Sequence, residues 1–317
     1  MVGVVSLSIE LELGWGMHDK GEFDHLSEDR LEETRTLQHL LDTTERLNIP
    51  ITFPIVGHLL HESCDGFHTG PYAVDWWNED PGTNVNEHPL FYAPDVVDEI
   101  ESSVVEHEIA THTYSHLLAN EATPDMIEFD LQKAREVHED FGLPDPTSIV
   151  MPRHKEPDYS ILTDHEIETI RRPVRNYGAH IDNKISKTWW LWNRSHPKSS
   201  MKQKKGILET TVTPHPSLTT TTLPKGQMSP HSIFSAIPKT LRKRRHLQYL
   251  QNAIDLAANE QTHVHLWTHL YNLSNKDQWP LVEKALMYLA ERRNEEKLLI
   301  QPMNQLGPHK DKIMREE

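Results

Sequence analysis

Near the start of the chain Val5, Leu7, Ile9, Leu11 and Leu13 alternate with Ser6, Ser8, Glu10 and Glu12, ahead of Gly14-Trp15-Gly16. A period of two belongs to a β-strand with two unlike faces and to no helix. The pattern commits this segment to a sheet and puts Glu10 and Glu12 on one face, roughly 6.5 Å apart along the backbone. Carboxylates that close repel unless a cation or a shared proton lies between them. Two readings stay open here: a strand of an antiparallel sheet with its glutamates in water, or a strand that delivers two carboxylates to a site.

Strand-like and helix-like segments alternate along the rest of the chain, the layout of an α/β fold built on a mostly parallel sheet. Residues 28–47 read as a helix, 50–57 as a strand, 64–89 as a loop rich in Trp, Gly, Pro and Asn, and 96–105 as a helix leading into a strand at 108–111. In the next helix Thr123 can cap, Pro124 suits the first turn, and Gly142 can end it. Strands are expected at 148–151, 207–212, 263–267 and 297–301, and helices at 247–259 and 277–294. Order weakens over 182–226, read as an insertion around the strand at 207–212. No repeat or linker interrupts the pattern, so residues 1–306 form one barrel-like domain and 307–317 a charged tail.

Composition removes several classes of function. The 317 residues carry 32 basic and 48 acidic side chains, a formal charge of -16, which argues against nucleic acid and anionic membranes as partners. The basic run at 239–245 reads as the solvated start of a helix. Cys64 is the only cysteine, which excludes an intrachain disulfide and suits a reducing compartment. No stretch is apolar for long enough to span a membrane, and the first residues lack a basic leader, so a cytoplasmic location is expected.

His112-Thr113-Tyr114-Ser115-His116 is the second notable pattern. On a helical turn, histidines four apart face the same way and can share a metal. With 22 histidines in the chain the spacing alone means little. Its placement means more, because the pair begins at the C-terminal end of an expected strand, where barrel enzymes build their sites. A carboxylate with two imidazoles leaves positions open for water, as a catalytic ion requires.

The order Glu10-x-Glu12-x-Gly14-Trp15-Gly16, His107-Glu108-Ile109 leading into His112-Thr113-x-Ser115-His116, Ser148-Ile149-Val150-Met151-Pro152-Arg153, and His265-Leu266-Trp267-Thr268-His269 resembles the polysaccharide deacetylases of the NodB-homology type, carbohydrate esterase family 4. The likeness is to an intracellular branch with a carboxylate-x-carboxylate first motif and runs over about residues 2–306. It implies a single distorted (β/α)7-like barrel and a divalent metal, zinc first among the candidates. It also implies hydrolysis of an acetyl group from a sugar by a metal-bound water. Carried over by position, it makes Glu12, His112 and His116 the metal ligands, Glu10 the catalytic base, Arg153 the arginine that orients that base, and His269 the acid that protonates the leaving group. Three departures stand out. Glu10 takes the place of the family's usual Asp, no glycine follows Met151-Pro152-Arg153-His154 closely, and the fourth motif finds only Asp182 with Trp189 or Trp190 as a loose match.

The resulting expectation is a metal-dependent hydrolase that removes an acetyl or other acyl group from an amino sugar or oligosaccharide. A non-sugar amide such as a cyclic imide or ureide is the alternative substrate, and a degenerate glycan-binding protein is the alternative class. Trp15 and Tyr114 are weak candidates for substrate contact, each weighed against plain packing. His265 reads as a hydrogen-bonded core histidine. The Trp189, Trp190 and Trp192 cluster reads either as a carbohydrate groove or as a hydrophobic lid.

Overall fold

The computed structural model describes residues 2–174, 192, 195–198, 201–295 and 297–307. In chain order its elements are β1 (Gly3–Glu10), α1 (Leu31–Leu47), β2 (Thr52–Ile55), α2 (Pro94–Glu101), β3 (Glu108–Thr111), α3 (Pro124–Phe141), β4 (Ser148–Val150) and α4 (Tyr159–Asp164). There follow β5 (Thr169–Pro173), β6 (Met201–Lys204), β7 (Ile207–Val212), α5 (Lys239–Glu260), β8 (His263–His269), α6 (Leu270–Leu273), α7 (Trp279–Asn294) and β9 (Leu298–Ile300).

The strands run β6-β7-β5-β4-β3-β2-β1-β8, with β9 beside the first residues of β1. All neighbours are parallel except the β6–β7 hairpin. The sheet curls until β7 meets β8 through side chains: Thr210 Oγ1 lies 3.0 Å from His265 Nδ1, and Trp267 Nε1 donates to the Thr213 carbonyl at 2.8 Å. Among the described residues no backbone ladder joins these two strands, so the seven-stranded (β/α) barrel is curled round and left unlaced there.

Both faces of β1 are buried, which rules out the water-facing antiparallel strand. Val5, Leu7, Ile9 and Leu11 pack outward against the helices, joining Leu37 and Leu40 of α1, Ile254 of α5 and Leu286 of α7 in one core. Each such aliphatic side chain contributes about 1.5–3 kcal/mol when fully buried. The polar residues form hydrogen bonds instead: Ser6 Oγ lies 3.1 Å from His263 Nε2, and Ser8 Oγ lies 2.8 Å from His265 Nε2. His265 is thus hydrogen-bonded on both sides by Ser8 and Thr210. Around the sheet, α3 is capped as its sequence suggests: Thr123 Oγ1 accepts from the Met126 amide, and Gly142 stops the helix at φ 86°.

Four elements had no counterpart in the sequence reading: the short helices α4 and α6 and the strands β5 and β6. The two strands occupy segments with few apolar residues, and β5 (Thr-Ile-Arg-Arg-Pro) contains a single aliphatic side chain. Helix α5 starts at Lys239, earlier than expected, and absorbs the basic run. Lys239 and Lys243 pair with Asp277 at 2.7 Å, and Arg242 turns inward to the Thr222 carbonyl. Asp182, Trp189, Trp190 and the tail beyond Gly307 lie outside the described residues. No described helix is long and apolar enough to cross a membrane.

Candidate metal centre and its surroundings

The C-terminal ends of the strands converge on a cluster of charged side chains, the usual location of a barrel active site. Glu10 closes β1, Glu12 follows two residues later, His112 follows β3, and His269 closes β8. The histidines are not on a helical turn. Residues 112–116 form an irregular turn in which Thr113 (φ 65°) and His116 (φ 58°) adopt left-handed backbone. A β-branched residue there is strained. The strain is offset from α3, where the buried Asp130 carboxylate accepts the amides of Tyr114 (2.8 Å) and Ser115 (3.1 Å) and the Ser115 hydroxyl.

Glu12 Oε2 lies 3.2 Å from His116 Nε2 and 3.5 Å from His112 Nε2. Ligands of a tetrahedral zinc at its usual bond lengths are separated by roughly 3.3 Å, so these spacings suit one ion. His112 Nδ1 is 2.6 Å from the Val150 carbonyl, to which it donates, and this leaves the Nε2 lone pair directed inward. That buried Nε2 has no hydrogen-bond partner, the state expected of a metal-binding nitrogen. Gly16 makes the geometry possible, since a Cβ there would lie 2.5 Å from the Glu12 carboxyl carbon.

Glu10 sits beside this triad, gripped by the Arg171 guanidinium and 3.0 Å from His269 Nε2. Burial alone would raise its carboxyl, but Arg171 and His269 overcome that and hold it well below the usual carboxylate range. Burial likewise opposes the charged form of His269. Glu12 and Glu10 outweigh it, and the imidazole is raised above its ordinary value. His269 Nδ1 lies 3.3 Å from Asn272 Nδ2, and its Nε2 faces Glu10.

Residues 22–169 match the family model for polysaccharide deacetylase. The chain carries a polysaccharide deacetylase domain. That places it among hydrolases of the amide and ester class that act on carbon–nitrogen bonds. The matched span holds His112, His116 and Arg153, while Glu10 and His269, each closing a strand, and Glu12, just after β1, lie outside it. Among solved structures, a Mycobacterium smegmatis protein assigned to the polysaccharide deacetylases shares the fold at a TM-score of 0.60 and 14% identity, over 98% of this chain and 90% of that one. A Pseudomonas aeruginosa PAO1 protein of the same assignment gives 0.56 and 11%, over 96% and 90%. The allantoinase Puue gives 0.55 and 12%, over 96% and 89%. No curated protein matches the chain.

Within the deacetylase domain Arg153 does not reach Glu10. It follows β4 in a turn where it and His154 are left-handed (φ 49° and 57°), and its guanidinium pairs with Asp19 and extends toward the Gly16 carbonyl. Arg153 therefore clamps the loop behind Glu12, and Arg171 of β5 takes the place expected for it. Trp15 is fully buried, donates to the Phe91 carbonyl at 3.0 Å and packs on His18, His58 and Phe91, so it cannot stack on a sugar. The Tyr114 ring turns from the triad toward His58 and Trp77, with its hydroxyl 3.0 Å from His61 Nε2.

Two residues of this deacetylase site escaped sequence reasoning. Arg171 is entirely buried, with its guanidinium over Trp267 at 4.5 Å and Nη1 donating to Ser8 at 2.9 Å. The available signal was Thr169-Ile170-Arg171, a short β-prone run with an arginine in the middle of the strand. Asp130 had a weaker signal, an acidic residue on the apolar face of α3 beside Ile127, Leu131 and Ala134.

Proposed function

We propose that this chain is a metal-dependent hydrolase that removes an acetyl or related acyl group from an amino sugar or oligosaccharide in the cytoplasm. The convergence of Glu12, His112 and His116 on one point, with Glu10 and His269 directly beside it, carries the reading. Polysaccharide deacetylases use a divalent metal, and the donor set of one carboxylate and two imidazoles suits zinc. When bound, the ion supplies Lewis acidity that polarises an acyl carbonyl and acidifies a water.

Glu10 is the base in this proposal. The buried Arg171 keeps it ionised and fixes the direction of its carboxylate, so that it can take the proton of the attacking water. His269 then returns a proton to the departing nitrogen, which an amide cannot expel as a bare amide ion. Its Nε2 nitrogen lies 3.0 Å from a Glu10 carboxylate oxygen and 3.5 Å from one of Glu12. Asp130 and Arg153 position the chemistry without taking part, one shaping the histidine turn and the other the loop behind Glu12.

Hydrolysis of a small non-sugar amide is a second reading, supported by the aromatic side chains. Neither Trp15 nor Tyr114 turns a ring to the site, and an allantoinase is among the proteins that share the fold. One panel separates the readings: acetate release from acetylated amino sugars, against ring opening of cyclic ureides and imides, each with metal removed and restored. Metal-dependent acetate release supports deacetylation, and ring opening alone supports the second reading.

A further inference from the structure

Beneath the irregular loop that joins β2 to α2, four side chains of different chemistry aim at a common point away from the triad. One donor atom from each of His58, Cys64, His68 and Asp80 lies within 4.8 Å of all the others. His58 Nε2 is 3.5 Å from Asp80 Oδ2, Cys64 Sγ is 3.7 Å from His68 Nε2, and His68 Nε2 also contacts Asp80 Oδ2. His58 is completely buried, and its ring nitrogens find no hydrogen-bond partner outside this cluster. A buried imidazole left so is costly unless something else takes its lone pair.

We propose that these residues form a second metal site, a closed structural zinc site of two imidazoles, one thiolate and one carboxylate. The separations fit, since sulfur and nitrogen ligands on a tetrahedral zinc stand roughly 3.6 Å apart and two N/O ligands roughly 3.3 Å. A mixed S, N, O donor set selects a borderline-soft divalent ion over calcium or magnesium. The surrounding contacts are those of a ligand shell. Asp80 Oδ1 is held by the Tyr92 hydroxyl (2.6 Å) and the Gly82 amide (3.1 Å), which leaves Oδ2 for the ion, and Cys64 Sγ accepts the Gly66 amide at 3.4 Å. A nucleophilic Cys-His-Asp relay does not fit, because it needs both imidazole nitrogens, whereas His68 meets the sulfur and the carboxylate through the same Nε2.

All four positions are filled by protein, so the site has no place for substrate and its role is to pin the loop. The loop from His61 to Ala93 contains no helix or strand, and segments that long without regular structure are uncommon in a compact domain. It carries Trp77, stacked on His68 at 3.7 Å, and Trp76, which donates to Ser115 Oγ at 3.0 Å and packs on His18. A cation that ties His58 to Asp80 therefore braces the turn that presents His112 and His116. This inference is independent of the proposed reaction.

The test uses the full chain with its first centre removed by Glu12→Ala together with His116→Ala, since Glu12 belongs both to the triad and to the neighbouring Glu10, Glu12 and His269 group. Loading this variant with Co2+ should give one equivalent bound and a near-ultraviolet thiolate-to-cobalt charge-transfer band, for which Cys64 supplies the only thiol. Cys64→Ser should abolish the band, and Asp80→Asn should weaken Co2+ binding at least tenfold while leaving the thiol reactive to modification. Circular dichroism of each variant guards against unfolding. A folded Glu12→Ala, His116→Ala protein that binds no cobalt, or binds it with no thiolate band, overturns the proposal, as does undiminished binding when Asp80→Asn is added.

Discussion

Arg171 and Glu10 form an ion pair that is sealed from solvent, reached from two strands on different parts of the sheet and roofed by the Trp267 ring. Removing one charge from such a pair leaves the other uncompensated and costs about 3–5 kcal/mol. Arg171→Met should therefore lower the unfolding free energy by about that much in denaturant titrations and reduce turnover at least tenfold. Metal content should stay at the wild-type level, because Arg171 touches no ligand of the triad. The same loss of turnover in Arg153→Met with none in Arg171→Met would reverse the two assignments.

Glu10 and His269 should separate cleanly from the metal ligands. Glu10→Gln keeps the shape but cannot take a proton, so kcat should fall roughly a hundredfold or more with little change in KM. His269→Ala should lower kcat with the ion retained. Its distance of 3.5 Å from Glu12 makes elemental analysis of this variant decisive, since loss of the ion would make His269 a ligand. Glu10→Asp tests the degenerate-binder alternative, which requires that neither it nor wild type turns over any substrate in the panel.

Gly16 gives a test that touches no charged group. A methyl there collides with the Glu12 carboxylate, so Gly16→Ala should release metal at least tenfold more readily, with a thermal transition close to wild type in the metal-free protein. Isothermal titration with zinc reads the first effect and calorimetry the second.

Acid should weaken the fold through buried histidines far from the catalytic groups. Burial pushes His107 down to about 4, with Glu45 opposing, and its Nδ1 accepts the Ile51 amide at 3.1 Å, a contact that protonation breaks. The unfolded chain, with histidine near 6.5, binds more protons than the folded one between these values. Stability from this group is therefore complete above about pH 6.5 and lost as pH falls toward 4, on the order of 2 kcal/mol after allowance for partial exposure. His107→Gln, whose amide oxygen can still accept from Ile51, should flatten the pH dependence of the denaturation midpoint over that window.

The parts of this molecule legible in its sequence are those written in periodicity. β1, the caps of α3 and the strand ahead of His112 each repeat a pattern over several residues, and each formed where the pattern lay. Arg171 was hidden because β5 is short and mostly polar, its burial made tolerable only by a glutamate some 160 positions away in the chain. Sequence order could not supply that pairing. The histidine spacing, taken for a helical turn, came from backbone angles that propensity disfavours and a distant carboxylate imposes. The His58, Cys64, His68 and Asp80 cluster stayed invisible for the same reason, since its members are unevenly spaced in a loop without period.

Asp130 lies sixteen residues beyond Tyr114, on a helix, and is not among the residues that converge on the proposed ion. Even so, the two imidazoles can face one point only while that carboxylate grips the amides between them. The grip of the centre on its ion is thus adjustable from the outer layer of the barrel. A change in α3 that shifts Asp130 by a fraction of an ångström would tune or extinguish the site while every ligand stayed in place.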